Sequence, residues 1–110
     1  MPARLIVGIS GASGVVFGVR LLELLRETMI ETHLVMSRSA AVTLAYETNY
    51  KLKDVQALAD CCYGPDDMAA PVSSGSYLTL GMIVAPCSVK SLAEIASGVT
   101  TTLLSRAADV

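Results

Sequence analysis

The run Leu5-Ile6-Val7-Gly8-Ile9-Ser10-Gly11-Ala12-Ser13-Gly14 constrains this chain more than any other. Its first part is short, apolar and β-rich, the pattern of a buried strand over Ala3–Ile9. Beyond Gly14, apolar residues recur at helical spacing (Val15, Val19, Leu22, Leu25), which predicts a helix over Gly14–Thr28. A strand that turns through glycines into a helix is the opening of a βαβ unit. Glycines let the backbone turn tightly and approach a ligand closely. The helix start offers unpaired N–H groups and the positive end of the helix dipole, both suited to a phosphate. The spacing is GxxGxxG. It differs from the GxGxxG of dinucleotide folds and lacks the Gly-Lys-Ser/Thr ending of a P-loop.

The pattern then repeats. Glu31–Met36 reads as a second strand, and Ser37 is placed to cap a helix reaching Glu47. Leu52–Ala59 reads as a short amphipathic helix and Asp60–Tyr63 as a short strand. Gly64–Ser76, rich in Gly, Pro, Ser and Asp, reads as a loop with room for one helical turn. Gly81–Ala85 is a strand stopped by Pro86, Ser88 opens a helix to about Ser97, and Thr100 or Thr101 caps a last helix toward Val110. Alternating strands and helices predict an α/β fold with a parallel sheet and right-handed crossovers. A hydrophobic share of 53% against 16% charged residues fits strands buried on both faces.

The bulk numbers exclude several function classes. A net charge of −2 gives no basic footprint for nucleic acid. No run approaches the roughly 18 apolar residues of a membrane span. The apolar start is broken by Gly8, Ser10 and Gly11 and is too short for a secretory signal. Cys61, Cys62 and Cys87 are odd in number and lack a CxxC spacing, so neither a disulfide framework nor a metal site is expected. They are expected to be small buried hydrophobes in a cytoplasmic protein.

In an open α/β sheet, ligands sit outside the carboxyl ends of the strands. The first loop, Ser37 and Pro86-Cys87-Ser88-Val89-Lys90-Ser91 all fall there and converge on one crevice. Met36 and Ser37 stand where dinucleotide folds place an acid for the ribose, which points toward a mononucleotide such as FMN. Ser88 and Ser91 can donate hydrogen bonds and Lys90 can neutralise charge, although Ser88 can equally be only a helix cap. Glu47 reads by default as a solvated helix carboxylate, His33 as a core or edge histidine, and Met29, Met36, Met68 and Met82 as packing residues.

In order along the chain, the opening run with Gly18-Val19-Arg20-Leu21-Leu22, then Glu31-Thr32-His33-Leu34-Val35-Met36-Ser37, Ser73-Ser74-Gly75-Ser76, Gly81-Met82-Ile83-Val84-Ala85-Pro86-Cys87-Ser88 and Arg106-Ala107-Ala108-Asp109-Val110 resemble the flavin prenyltransferase family. That family includes proteins once called phenylacrylic acid decarboxylases and small subunits of hydroxyarylic acid decarboxylases. The resemblance implies a Rossmann-like, flavodoxin-related three-layer αβα fold that binds FMN. It implies transfer of a dimethylallyl group from dimethylallyl phosphate to N5 and C6 of reduced FMN, the product serving a UbiD-type decarboxylase. It also implies a homo-oligomer, dodecameric in the family, with no metal. Carried over residue by residue, Gly11, Ala12, Ser13, Ser37, Ser88, Val89, Lys90 and Ser91 match FMN contacts, and Ser13 and Glu47 match catalytic positions, Glu47 in proton handling. Family members are longer and take substrate-phosphate ligands from their later half. Residues 1–110 are therefore expected to be a single FMN-binding domain truncated at its C-terminal end.

Two other functions fit such a fold. A flavin-dependent cysteine decarboxylase needs a catalytic histidine, and the single His33 lies inside a strand, the wrong place for one. A non-catalytic flavin-binding accessory subunit of an aromatic acid decarboxylase needs only the loops.

Overall fold

The computed structural model describes residues 3–110. In chain order the elements are β1 (Arg4–Ile9), α1 (Val15–Leu25), β2 (Glu31–Met36), α2 (Arg38–Glu47), α3 (Leu52–Gln56), β3 (Cys61–Tyr63), a 3-10 turn (Pro71–Ser73), β4 (Gly81–Val84), α4 (Val89–Ser97) and α5 (Leu103–Asp109). The four strands form one parallel sheet in the order β3-β2-β1-β4. The direction of winding reverses at β1, so the crevice of this doubly wound sheet opens between the carboxyl ends of β1 and β4.

Side chains of successive strand residues alternate between the two faces, and each face has its own core. Val7, Ile9, Leu34 and Met36 pack against Val15, Val19 and Leu22 of α1, Leu44 of α2 and Val55 of α3. Ile6 and Val35, on the opposite face, pack against Val72 of the 3-10 turn and Leu103, Leu104 and Ala107 of α5. The result is the expected three-layer αβα arrangement. Each fully buried Val or Leu contributes about 1.5–3 kcal/mol relative to the exposed side chain.

Most boundaries follow the sequence reading, and the differences have local causes. α1 stops at Leu25 rather than Thr28, because Thr28 closes a turn by donating both its N–H (3.0 Å) and its hydroxyl (2.7 Å) to the Leu25 carbonyl. The cap of α5 is Thr102, not Thr100 or Thr101. Its hydroxyl accepts from Ser105 N–H at 3.3 Å, and Ser105 Oγ accepts from Thr102 N–H at 3.2 Å, a reciprocal capping box. The cysteines are not buried as expected. Cys62 faces solvent on the outer strand β3, and Cys61 and Cys87 are half-buried. Met36 and Met82 pack into the cores, whereas Met29 and Met68 are exposed.

His33 is a core residue, as expected, and both of its ring nitrogens have partners. Nδ1 lies 2.8 Å from Tyr63 OH and Nε2 lies 2.6 Å from Glu31 Oε1. The ring stacks on Tyr63 and meets the edge of Tyr77, over which the Arg4 guanidinium sits at 4.4 Å. Burial, reinforced by Cys61, pushes the Tyr63 hydroxyl up to about 12. Burial together with Glu31 and Asp60 raises the Cys61 thiol. Glu31, His33 and Cys61 offer donor atoms within 4.8 Å of one another. Arg4 Nε lies 3.5 Å from Glu31, and Glu31, His33 and Tyr63 form a hydrogen-bonded network beside Cys61.

Candidate flavin site at the carboxyl end of the sheet

The strand ladder runs on past the strands and ties three loops together. Ser37 N–H donates to the Ile9 carbonyl (3.0 Å), Ala85 N–H to Gly8 (2.9 Å) and Ser10 N–H to Pro86 (3.1 Å). Ser10 is fully buried. Its hydroxyl donates to the Pro86 carbonyl at 2.7 Å and accepts from Ser88 N–H at 2.6 Å. Thr43 of α2 donates to the Gly11 carbonyl at 2.8 Å. The three loops thus form one connected rim around the β1/β4 crevice.

Local sequence explains the rim. Gly14 caps α1 in the left-handed region (φ 97°), which other residues rarely adopt. Gly18 lets α1 lie directly on the chain after β4, where a Cβ would collide with the Ala85 carbonyl. Ser37 and Ser88 cap α2 and α4, their hydroxyls accepting from Ala40 N–H and Ser91 N–H at 3.1 Å each. Both hydroxyls are therefore engaged as caps, and Ser88 also donates to Ser91 Oγ at 3.0 Å.

The α1 N-terminus differs from the sequence expectation. Two of the donors assigned to a phosphate are already taken, since Gly14 N–H (3.0 Å) and Val15 N–H (3.4 Å) both donate to Glu47 Oε1. Glu47, at the end of α2, thus supplies the anion that this helix start favours. The contact also brings Glu47 beside Ser13, although the two are far apart in sequence.

The remaining rim suits an anionic ligand. Ser13 is exposed, and the N–H groups of Gly11, Ala12 and Ser13 have no partner among the described residues. Val89 and Lys90 begin α4, where N–H groups have no intrahelical acceptor. Lys90 is exposed and Val89 is 84% exposed. Ser91 is half-buried behind Ser88. Beyond Ser37 a groove of about 270 Å³ is lined by Met36, Ala41, Leu52, Gln56, Tyr63 and Pro65. All the predicted contact residues therefore stand at one end of the sheet. Sequence reasoning missed Ser10 and Thr43, whose only signal was a polar residue at the end of a buried strand or on a helix facing it.

The chain is similar to known proteins along nearly its whole length. The chain is 59% identical over 108 residues to the flavin prenyltransferase UbiX of Escherichia coli (strain K12), covering 97% of this chain and 57% of that protein. It superposes with a TM-score of 0.97 on a crystal structure of AnUbiX (PadA1) in complex with FMN and dimethylallyl pyrophosphate, at 50% identity, covering 99% of this chain and 58% of that one. A dodecameric FMN-dependent UbiX-like decarboxylase from Escherichia coli O157:H7 gives a TM-score of 0.95 at 54% identity, covering 96% and 58%. The chain thus spans a little over half the length of these relatives. The family model described as Flavoprotein matches residues 2–110, and with its glycine-hinged strand-end rim the chain belongs to the Flavoprotein family.

Proposed function

We propose that this chain is the FMN-holding domain of a flavin prenyltransferase, which transfers a dimethylallyl group from dimethylallyl phosphate to reduced FMN. The observation that carries the reading is the 59% identity to a flavin prenyltransferase over 108 residues, 97% of the chain. The donor set supports it independently. Unpartnered N–H groups at Gly11–Ser13 and the start of α4, with Lys90 beside them, suit a phosphate and the polar edge of a flavin ring.

When bound, reduced FMN supplies the nucleophilic N5 and C6 that take up the dimethylallyl group. The chain's own residues bind, orient and handle protons. Gly11, Ala12, Ser13, Ser37 and Ser88–Ser91 hold the ring and phosphate. Ser13, exposed in the β1 loop, acts on the prenyl donor beside the flavin. Glu47 accepts from the α1 N-terminus through Oε1, which leaves Oε2 to take or give a proton. The breaking C–O bond sends its electron pair to the departing phosphate, and donors aimed at that charge lower the barrier. The product serves a separate UbiD-type decarboxylase in the cytoplasm. No helix of the described residues is long and apolar enough to cross a membrane. The protein assembles as a homo-oligomer, and large exposed apolar side chains such as Phe17 (71%) and Tyr46 (87%) are available to its contacts.

The test is anaerobic incubation of the natural gene product with reduced FMN and dimethylallyl phosphate, read by mass spectrometry of the released flavin. The expected result is FMN carrying one dimethylallyl unit. Bound but unmodified FMN would favour an accessory role.

A further inference from the structure

We infer that Ser10 is a positioning residue of the flavin rim, a buried side chain that fixes the β1 loop and the β4 loop at a set separation. The inference rests on the flavin reading above. Ser10 touches no reacting atom. It is fully buried, yet all the hydrogen-bonding capacity seen at its hydroxyl is spent across the crevice, as a donor to Pro86 at 2.7 Å and an acceptor from Ser88 N–H at 2.6 Å. Its own N–H adds a third link to Pro86 at 3.1 Å. The loops it joins carry different contacts for the same ligand, Gly11–Ser13 on one side and Ser88–Ser91 on the other. Ser88 is moreover the cap of α4, so the Ser10 hydroxyl sets where that helix begins.

Removing the hydroxyl leaves Ser88 N–H without its acceptor in a part-buried position, and the loop must shift to reach water. A ligand that spans both loops then pays for restoring their spacing, while a ligand on one loop would not. The effect is thus on flavin affinity, beyond any general loss of stability.

The experiment compares Ser10→Ala, Ser10→Cys and Val55→Ala in the natural gene product. Val55 is equally buried but lies on α3, on the sheet face away from α4 and α5. Ser10→Cys keeps the volume and a weak donor and acceptor, and it covers the case in which Ser10→Ala fails to fold. FMN binding is measured by fluorescence quenching at a temperature where each variant is fully folded. Amide exchange of the 86–91 segment is followed without flavin. Ser10→Ala is expected to raise the Kd for FMN by on the order of tenfold or more and to speed exchange at Ser88, with Ser10→Cys between it and wild type. Val55→Ala should leave the Kd within about twofold. Equal Kd values for Ser10→Ala and wild type, or an equal rise in Val55→Ala, would overturn the inference. A wild-type protein that binds no FMN overturns the flavin reading instead, and unchanged exchange at Ser88 in Ser10→Ala would then overturn the loop link as well.

Discussion

Gly18→Ala is expected to destabilise the protein although it places the best helix former inside a helix. On propensity alone, alanine in α1 should gain about 0.8–1 kcal/mol over glycine. The packing opposes this. A Cβ at residue 18 would fall inside contact range of the Ala85 carbonyl oxygen and 2.8 Å from Cγ1 and Cδ1 of Ile9. Neither neighbour yields cheaply. The carbonyl is backbone beside the crevice, and Ile9 is fully buried in β1. α1 must therefore lift from the sheet, at an overpacking cost of about 1–3 kcal/mol. Because the obstacle is backbone, the upper part of that range applies, for a net loss of about 1–2 kcal/mol. Urea unfolding of the two proteins measures it. Gly64→Ala is the control, since no atom lies within 4 Å of its Cβ position, and it should be neutral or gain about 0.4–1 kcal/mol. A Gly18→Ala protein as stable as wild type would refute the close approach of α1 to the β4 loop.

Glu47→Ala should cost about 0.5–1 kcal/mol in urea unfolding through loss of the acceptor for Gly14 and Val15 N–H, and Glu47→Gln, which keeps an acceptor, should cost less. In the prenylation assay Glu47→Gln should lower the rate by about 10²-fold or more while FMN is retained. Ser13→Ala should likewise reduce prenyl transfer more than FMN affinity, measured by single-turnover rate against flavin Kd. Complete loss of flavin from a folded variant would contradict this division of roles. Tyr63 is pushed up to about 12, above its unfolded value, chiefly by burial. Its contribution to stability is therefore fully present below about pH 10 and lost as pH rises toward 12. Ultraviolet titration should show a tyrosine step near pH 12 that Tyr63→Phe removes.

What could be read from the sequence was what depends on local pattern. Strands β1 and β4 declared themselves by apolar runs stopped by Gly11 and Pro86, β2 by a β-rich run ending at the Ser37 cap, and Ser37 and Ser88 by standing just before helices. Contacts that depend on how elements pack were not legible. Glu47 reads as a solvated carboxylate until α1 and α2 are side by side, and only then does its oxygen meet the Gly14 turn. Ser10 looks like one more small residue in a glycine loop, because its partners Pro86 and Ser88 lie 76 and 78 positions away. The cysteines misled for a similar reason, since β3 pairs on one side only and leaves Cys62 in solvent.

The central claim is that the loops at the carboxyl ends of β1, β2 and β4 together hold FMN. Amide exchange of the natural gene product with and without saturating FMN tests it most directly. Protection confined to the Gly11–Ser13 loop, the start of α2 and residues 86–91 is the result this reading requires. Absence of FMN binding, or protection centred on the Glu31–His33 end of the sheet, would contradict it.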